Sequence, residues 1–206
     1  HIYFDSEQLL EIISFYIDVN DFEYARKAIA YAYELYPDNY ELKIKQIEYF
    51  LVLSQLKKAA ELIKELKEIA SEDLEYQLVV ARFWAIKNFP KKAIEFYLKA
   101  AKHEEDLDFI YNCIGNEYLN IEDIENALIY FKKGLDFSDD NDYSFFSIIQ
   151  CYNELHQPEK CIDFLKDYID ENPFAEEAWA QLGSQYDKVN KLEEALEAFD
   201  YVTVIN

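Results

Sequence analysis

The chain has 206 residues, 51% apolar and 30% charged, with a formal net charge of −22. That apolar content excludes a disordered composition, and the acidity argues against nucleic acid or an anionic membrane as partner, because phosphates would be repelled. With three glycines and four prolines, the chain lacks the turn formers that an all-β protein needs.

Taken in chain order, the predicted elements are helices in pairs. The second helix of each pair begins with a similar segment: DFEYARKAI from Asp21, QLKKAAELI from Gln55, FPKKAIEFY from Phe89, DIENALIYF from Asp123, QPEKCIDFL from Gln157 and KLEEALEAF from Lys191. Each starts 34 residues after the last, with no insertion. The fifth residue is always small: Ala25, Ala59, Ala93, Ala127, Cys161 and Ala195. Four residues on, it is always large and apolar: Ile29, Ile63, Tyr97, Phe131, Leu165 and Phe199. Residues at i and i+4 share one helix face. The preceding helix shows its phase in Trp179, Leu182, Gly183 and Tyr186, and in Tyr111, Ile114, Gly115 and Tyr118. The repeats are then 6–39, 40–73, 74–107, 108–141, 142–175 and 176–206, of which 40–73 is the most divergent. Position 11 of each is aromatic: Tyr16, Phe50, Trp84, Tyr118, Tyr152 and Tyr186. Pro90 and Pro158 fall at position 17, the first turn of a second helix, where a missing N–H costs nothing.

This pattern resembles the tetratricopeptide repeat (TPR), whose signature is W-x₂-L-G-x₂-Y followed by Ala, an aromatic, Ala and Pro. The resemblance runs from Ser6 onward and implies an all-α, right-handed superhelical solenoid of antiparallel helix pairs. A lone hairpin cannot bury its apolar face, and stacking gives one continuous core, so a single domain over 1–206 is expected. Bulky Ile13 and Ile149 stand at position 8, where a small residue lets helices approach, so wider local helix spacing is expected there.

The resemblance also implies a concave groove lined by positions 2, 5, 6, 9, 12 and 13 of the first helices. In the last three repeats these positions supply Asn112, Asn116, Asn120, Tyr143, Phe146, Gln150, Asn153, Gln181 and Ser184. Carboxamides carry donors and acceptors that suit an extended peptide backbone, and an adjacent aromatic can hold one apolar side chain. The three asparagines, four apart, are expected to stack on one helix face. The family's carboxylate clamp needs Lys, Arg and Asn, whereas the corresponding slots hold Asn112, Asn116, Ser147, Glu177 and Gln181. Its asparagine ladder is also unmatched, since position 6 reads Glu11, Lys45, Val79, Cys113, Ser147 and Gln181. The expected partner is a protein or peptide segment, neutral to basic, with no terminal-carboxylate requirement.

Net charge by repeat runs −5, −1, +1, −6, −5 and −5. Glu7, Glu41, Glu75, Asp108, Asp142, Glu176 and Glu177 belong to first turns, where acids complement the helix dipole. Lys57, Lys58, Lys91 and Lys92 recur at positions 18 and 19 and read as a solvated outer face.

Catalysis, metal and cofactor are not expected. His156 lies five residues from both Cys151 and Cys161, but structural zinc wants four closely paired N or S ligands. Cys161 fills the small core slot. No glycine-rich phosphate loop exists, and the paired acids Glu104–Glu105 and Asp139–Asp140 read as loop caps. Nor is there a local signature for a cysteine nucleophile with His103 or His156 as base.

The reading is therefore an adaptor or scaffold that holds a peptide-like segment. The alternative is a regulatory sensor array of a larger signalling enzyme or transcription factor. The chain starts at His1, has no Met and shows no polar capping helix after the last pair, which predicts a piece of a longer protein. Weak self-association through the apolar C-terminal end, around Leu196, Phe199 and Val202, is expected. No run of about 18 apolar residues spans a membrane. Three unpaired cysteines fit a cytoplasmic compartment and leave a periplasmic one open.

Overall fold

The computed structural model describes residues 4–137 and 142–205; Asp139 and Asp140 lie outside them. Among the described residues there are twelve α-helices, one short 3₁₀ turn and no strand. The helices are α1 (Ser6–Asp18), α2 (Phe22–Leu35), α3 (Tyr40–Val52), α4 (Leu56–Leu66), α5 (Leu74–Ile86) and α6 (Pro90–Ala100), then α7 (Leu107–Leu119), α8 (Ile124–Leu135), α9 (Asp142–Glu154), α10 (Pro158–Glu171), α11 (Glu176–Lys188) and α12 (Leu192–Ile205).

The turn inside each pair follows one rule. Asn20, Ser54, Asn88, Glu122, His156 and Asn190 all have φ between 53° and 59°. All six stand at position 15, where the chain leaves the first helix. The next N–H then reaches back to the carbonyl of the position-11 aromatic: Asp21 to Tyr16 at 2.9 Å, Gln55 to Phe50 at 2.8 Å, Phe89 to Trp84 at 2.9 Å. The same bond joins Asp123 to Tyr118, Gln157 to Tyr152 and Lys191 to Tyr186. A left-handed residue followed by this six-to-one bond satisfies carbonyls that the helix end leaves bare.

Helix starts use three devices. Asp5, Asn39 and Asp73 cap α1, α3 and α5 through side-chain oxygens on backbone N–H groups. Asp21 and Asp123 do the same for α2 and α8. Pro90 and Pro158 open α6 and α10, as position 17 predicts, and there no side-chain cap is made. The seven first-turn acids all sit in the first turns of first helices.

The chain divides into two compact units, His1–Glu117 and Tyr118–Asn206, with the division inside α7. In the first unit, α1 packs on α2 and α3, α3 on α4 and α5, and α5 on α6. Two clusters form its core, one around Leu9, Ile13, Ile29 and Leu42 and one around Ile47, Leu66, Val80 and Phe83. In the second unit, α8 packs on α9, α9 on α10, α10 on α11 and α11 on α12. Its core gathers Phe131, Phe145, Ile148, Leu165 and Leu182. The small residues of position 20 are all buried.

Position 8 was expected to widen the helix spacing wherever it holds isoleucine. The sequence carries a counterweight at position 24. Gly183 is matched by Phe199 and Ala81 by Tyr97, whereas Ile13, Ile47 and Ile149 are matched by Ile29, Ile63 and Leu165. A small residue on the first helix accompanies an aromatic on the second, and a large one accompanies an aliphatic. The aromatic ring offsets part of the volume that the small residue gives up, in the direction a close-packed interior favours.

Candidate functional site: the first-helix faces of the two units

On the second unit, α9 and α11 present the side chains that sequence singles out. Tyr143 is 54% exposed and meets Phe131 edge-on at 6.2 Å. Phe146 is 41% exposed and leans on the buried Phe145 at 5.3 Å. Gln150 lies one turn further along the same face, and its Nε2 donates to Glu154 at 2.7 Å. Asn153 closes the row; its Oδ1 accepts from Lys188 Nζ at 2.7 Å. From α11 come Gln181, half-buried, and Ser184, whose hydroxyl donates to the carbonyl of Ala180 at 3.1 Å. Spacings of three and four put Phe146, Gln150 and Asn153 on one stripe of α9, and Gln181, Ser184 and Lys188 on one stripe of α11. The Asn153–Lys188 bond ties the ends of the two stripes together. Lys188 stands at position 13, within the groove set, yet sequence reading of this face named only amides, hydroxyl and aromatics.

Asn112 and Asn116 are half-buried on α7 in the first unit. Asn120 is exposed in the turn after α7. The helix ends at Leu119, so Asn112 and Asn116 are its helical members and Asn120 follows directly after it.

The first-helix face of the first unit is built from different chemistry. Lys45 Nζ lies 3.4 Å from Glu48 and 3.6 Å from Glu75, and Arg82 reaches Glu48 at 3.8 Å. Beside this network is a cleft of about 500 Å³ lined by Glu7, Leu10, Glu41, Ile44, Lys45 and Glu75, among others. Three of its four carboxylates, Glu7, Glu41 and Glu75, are first-turn acids that recur at position 2, and the fourth is the α5 cap Asp73.

The cysteines are poorly disposed for nucleophilic chemistry. Cys151 and Cys161 are buried and Cys113 is half-buried beside Tyr97. Burial pushes all three thiols up to about 11, so at neutral pH they stay protonated, and the thiolate is the reactive form. His156 is exposed in its turn. Among the described residues no group of three or more His, Cys, Asp or Glu is placed to hold a metal ion. No helix among them is long and apolar enough to cross a membrane.

Helix pairs at a 34-residue period, closed by one uniform turn and packed pair on pair, make this an all-α helical solenoid with the tetratricopeptide-repeat fold. Solved structures agree. YrrB, a TPR protein with an unusual peptide-binding site, is 17% identical over 87% of this chain and 92% of its own, with a TM-score of 0.60. The pilF protein of Pseudomonas aeruginosa is 12% identical over 94% and 88%, with a TM-score of 0.72. TTC0263, a thermophilic TPR protein of Thermus thermophilus, is 13% identical over 88% and 98%, with a TM-score of 0.62. At such identities the likeness is one of fold. No protein-family model and no curated protein matches the sequence.

Proposed function

We propose that the chain is a protein-interaction module, without catalysis of its own, that holds an extended peptide segment on the α9–α11 face. The observation that carries this reading is the contrast between the two first-helix faces. The face of α3 and α5 carries a network of paired charges. On α9 and α11 the face offers two exposed aromatics beside carboxamides and a hydroxyl, a combination suited to a peptide backbone with one apolar side chain. The peptide-binding site of YrrB, a protein of the same fold, supports it. The acidity of the second unit favours a neutral-to-basic segment, and the missing cationic clamp removes any need for a terminal carboxylate.

The test is a display library of extended peptides, presented with free and amidated C-termini, panned against the whole chain. The expected result is enrichment of neutral-to-basic sequences that bind equally well as amides. Phe146→Ala with Gln150→Ala should weaken them about tenfold or more, the equivalent of roughly 1.4 kcal/mol, with helical content unchanged. Equal binding by the double variant, or a strict need for the free carboxylate, overturns the assignment.

A further inference from the structure

Beyond that face, the first unit carries a cleft that no sequence motif marks. It lies between α4 and α6, is floored by α5, and has a volume of about 410 Å³, large enough for one or two big side chains. The floor is apolar and fixed: Ile63, Val80, Trp84, Phe96 and Tyr76, the last locked by its hydroxyl donating to the carbonyl of Ile63 at 2.9 Å. Three lysines stand around it, Lys67, Lys92 and Lys99, with Glu72 and Glu95 as the only acids of the lining. Lys99 takes Glu95 at 2.9 Å. Lys92 lies over Trp84, 4.0 Å from the ring centroid, with no carboxylate partner among the described residues.

The second unit contains the cleft at the equivalent place, between α10 and α12 over α11, and its sign is reversed. Positions shift by three repeats, so Lys92 becomes Glu194, Lys99 becomes Tyr201 and Lys67 becomes Ile169. That cleft is lined by Asp170, Glu194, Glu197 and a single Lys166. The helices behind the clefts repeat the contrast. Together α4, its terminal Lys67 and α6 carry seven lysines and three glutamates, whereas α10 and α12 carry two lysines and nine acids. A generally solvated outer surface would share the chain's −22 character at both places. Lysines are instead concentrated around one apolar slot.

We propose that the α4–α6 cleft is a second docking site, which takes an acidic segment of a partner protein with an aromatic or aliphatic side chain among its carboxylates. The apolar side chain enters over Trp84 and Phe96, and the flanking carboxylates pair with Lys67, Lys92 and Lys99. Charge complementarity selects the partner. The site is independent of the α9–α11 face, prefers the opposite charge, and stands whether or not that face binds peptide.

Trp84 is the reporter, because the chain's other tryptophan, Trp179, can be replaced by phenylalanine. The probe is a capped peptide of alternating glutamates with one phenylalanine and one leucine. Titrated into W179F, it should change Trp84 emission saturably, and a labelled copy should bind the unmodified chain by anisotropy with the same affinity. Binding should fall about tenfold in Lys92→Glu with Lys99→Glu, and similarly when the peptide glutamates become glutamines. Added salt should weaken it. The proposal is overturned if the glutamine peptide or the double variant binds equally, or if citrate alone reproduces the signal at the same concentration. It is equally overturned if Trp84 emission depends on chain concentration and sedimentation shows an oligomer that the double variant abolishes, because the occupant is then a second copy.

Discussion

Gly183 on α11 faces the ring of Phe199 on α12 so closely that a methyl group at Gly183 would stand 2.7 Å from Cε1 and 2.8 Å from Cζ. Real Cβ atoms essentially never approach so closely, so a side chain at 183 requires the Phe199 ring, 40% exposed, to move aside. Gly183→Ile should therefore destabilise the second unit by about 1–3 kcal/mol. Adding Phe199→Leu should restore most of the loss, because it rebuilds the pairing that Ile149 and Leu165 make by position one repeat earlier. Denaturant midpoints of the two single variants and the double variant measure the coupling. Simple additivity would show that the two volumes do not compensate.

His156→Gly should raise stability. The residue has φ 53°, a region where a β-carbon costs roughly 1–2 kcal/mol. Glycine removes that cost but makes the unfolded chain more flexible, so the net gain is about 0.5–1 kcal/mol. Thermal melts of His156→Gly and of Asn88→Val, which should lose stability, give the two signs.

Alkaline pH should unfold the chain earlier than its charge alone would. Tyr33 is half-buried, donates to Gln46 Oε1 at 3.0 Å and is pushed up to about 12 from an ordinary 10. The three thiols are pushed up to about 11 from 9. In each case the folded state holds the proton more tightly. The stabilisation is fully present below the unfolded value and is lost as pH rises through the folded one. Stability should fall from pH 9 to pH 12, and Tyr33→Phe should flatten the part above pH 10. Urea midpoints across this range decide it.

Weak self-association should be measurable. Along α12, Leu196 is 65% and Val204 79% exposed, with Leu192 and Phe199 on the same helix also open, whereas Val202 is half-buried. Contiguous apolar surface of this kind draws chains together, while a net charge of −22 holds them apart. Salt screens the repulsion, so sedimentation should show association growing with ionic strength and lost in Leu196→Lys. A monomer at every salt concentration would refute it.

Much of the fold could be read from residue spacing. Small residues at position 20, aromatics at position 11 and the two prolines mark helix pairs because each reflects local geometry, namely a crossing, a face and a first turn. The turn at position 15 was not legible, because Asn, Ser, Glu and His share no side chain there; the backbone conformation alone is common to them. The pairing of Gly183 with Phe199 is not legible at position 8 alone, because it depends on the residue sixteen positions on. For the candidate site, periodicity could name faces but not side-chain engagement. The bond between Asn153 and Lys188 joins residues 35 apart, and nothing in either residue type foretells it. The α4–α6 cleft escaped because its lysines come from separate segments and gather only once α4, α5 and α6 have packed.

The six-to-one bond that closes each turn has a consequence for how the chain is made. Its donor and acceptor are five residues apart, and each hairpin's two helices are complete within one 34-residue period. Such contacts close almost no loop entropy and form quickly. A growing chain leaving the ribosome can therefore sample each turn early, and each hairpin becomes lasting only when the next one emerges and stacks on its apolar face.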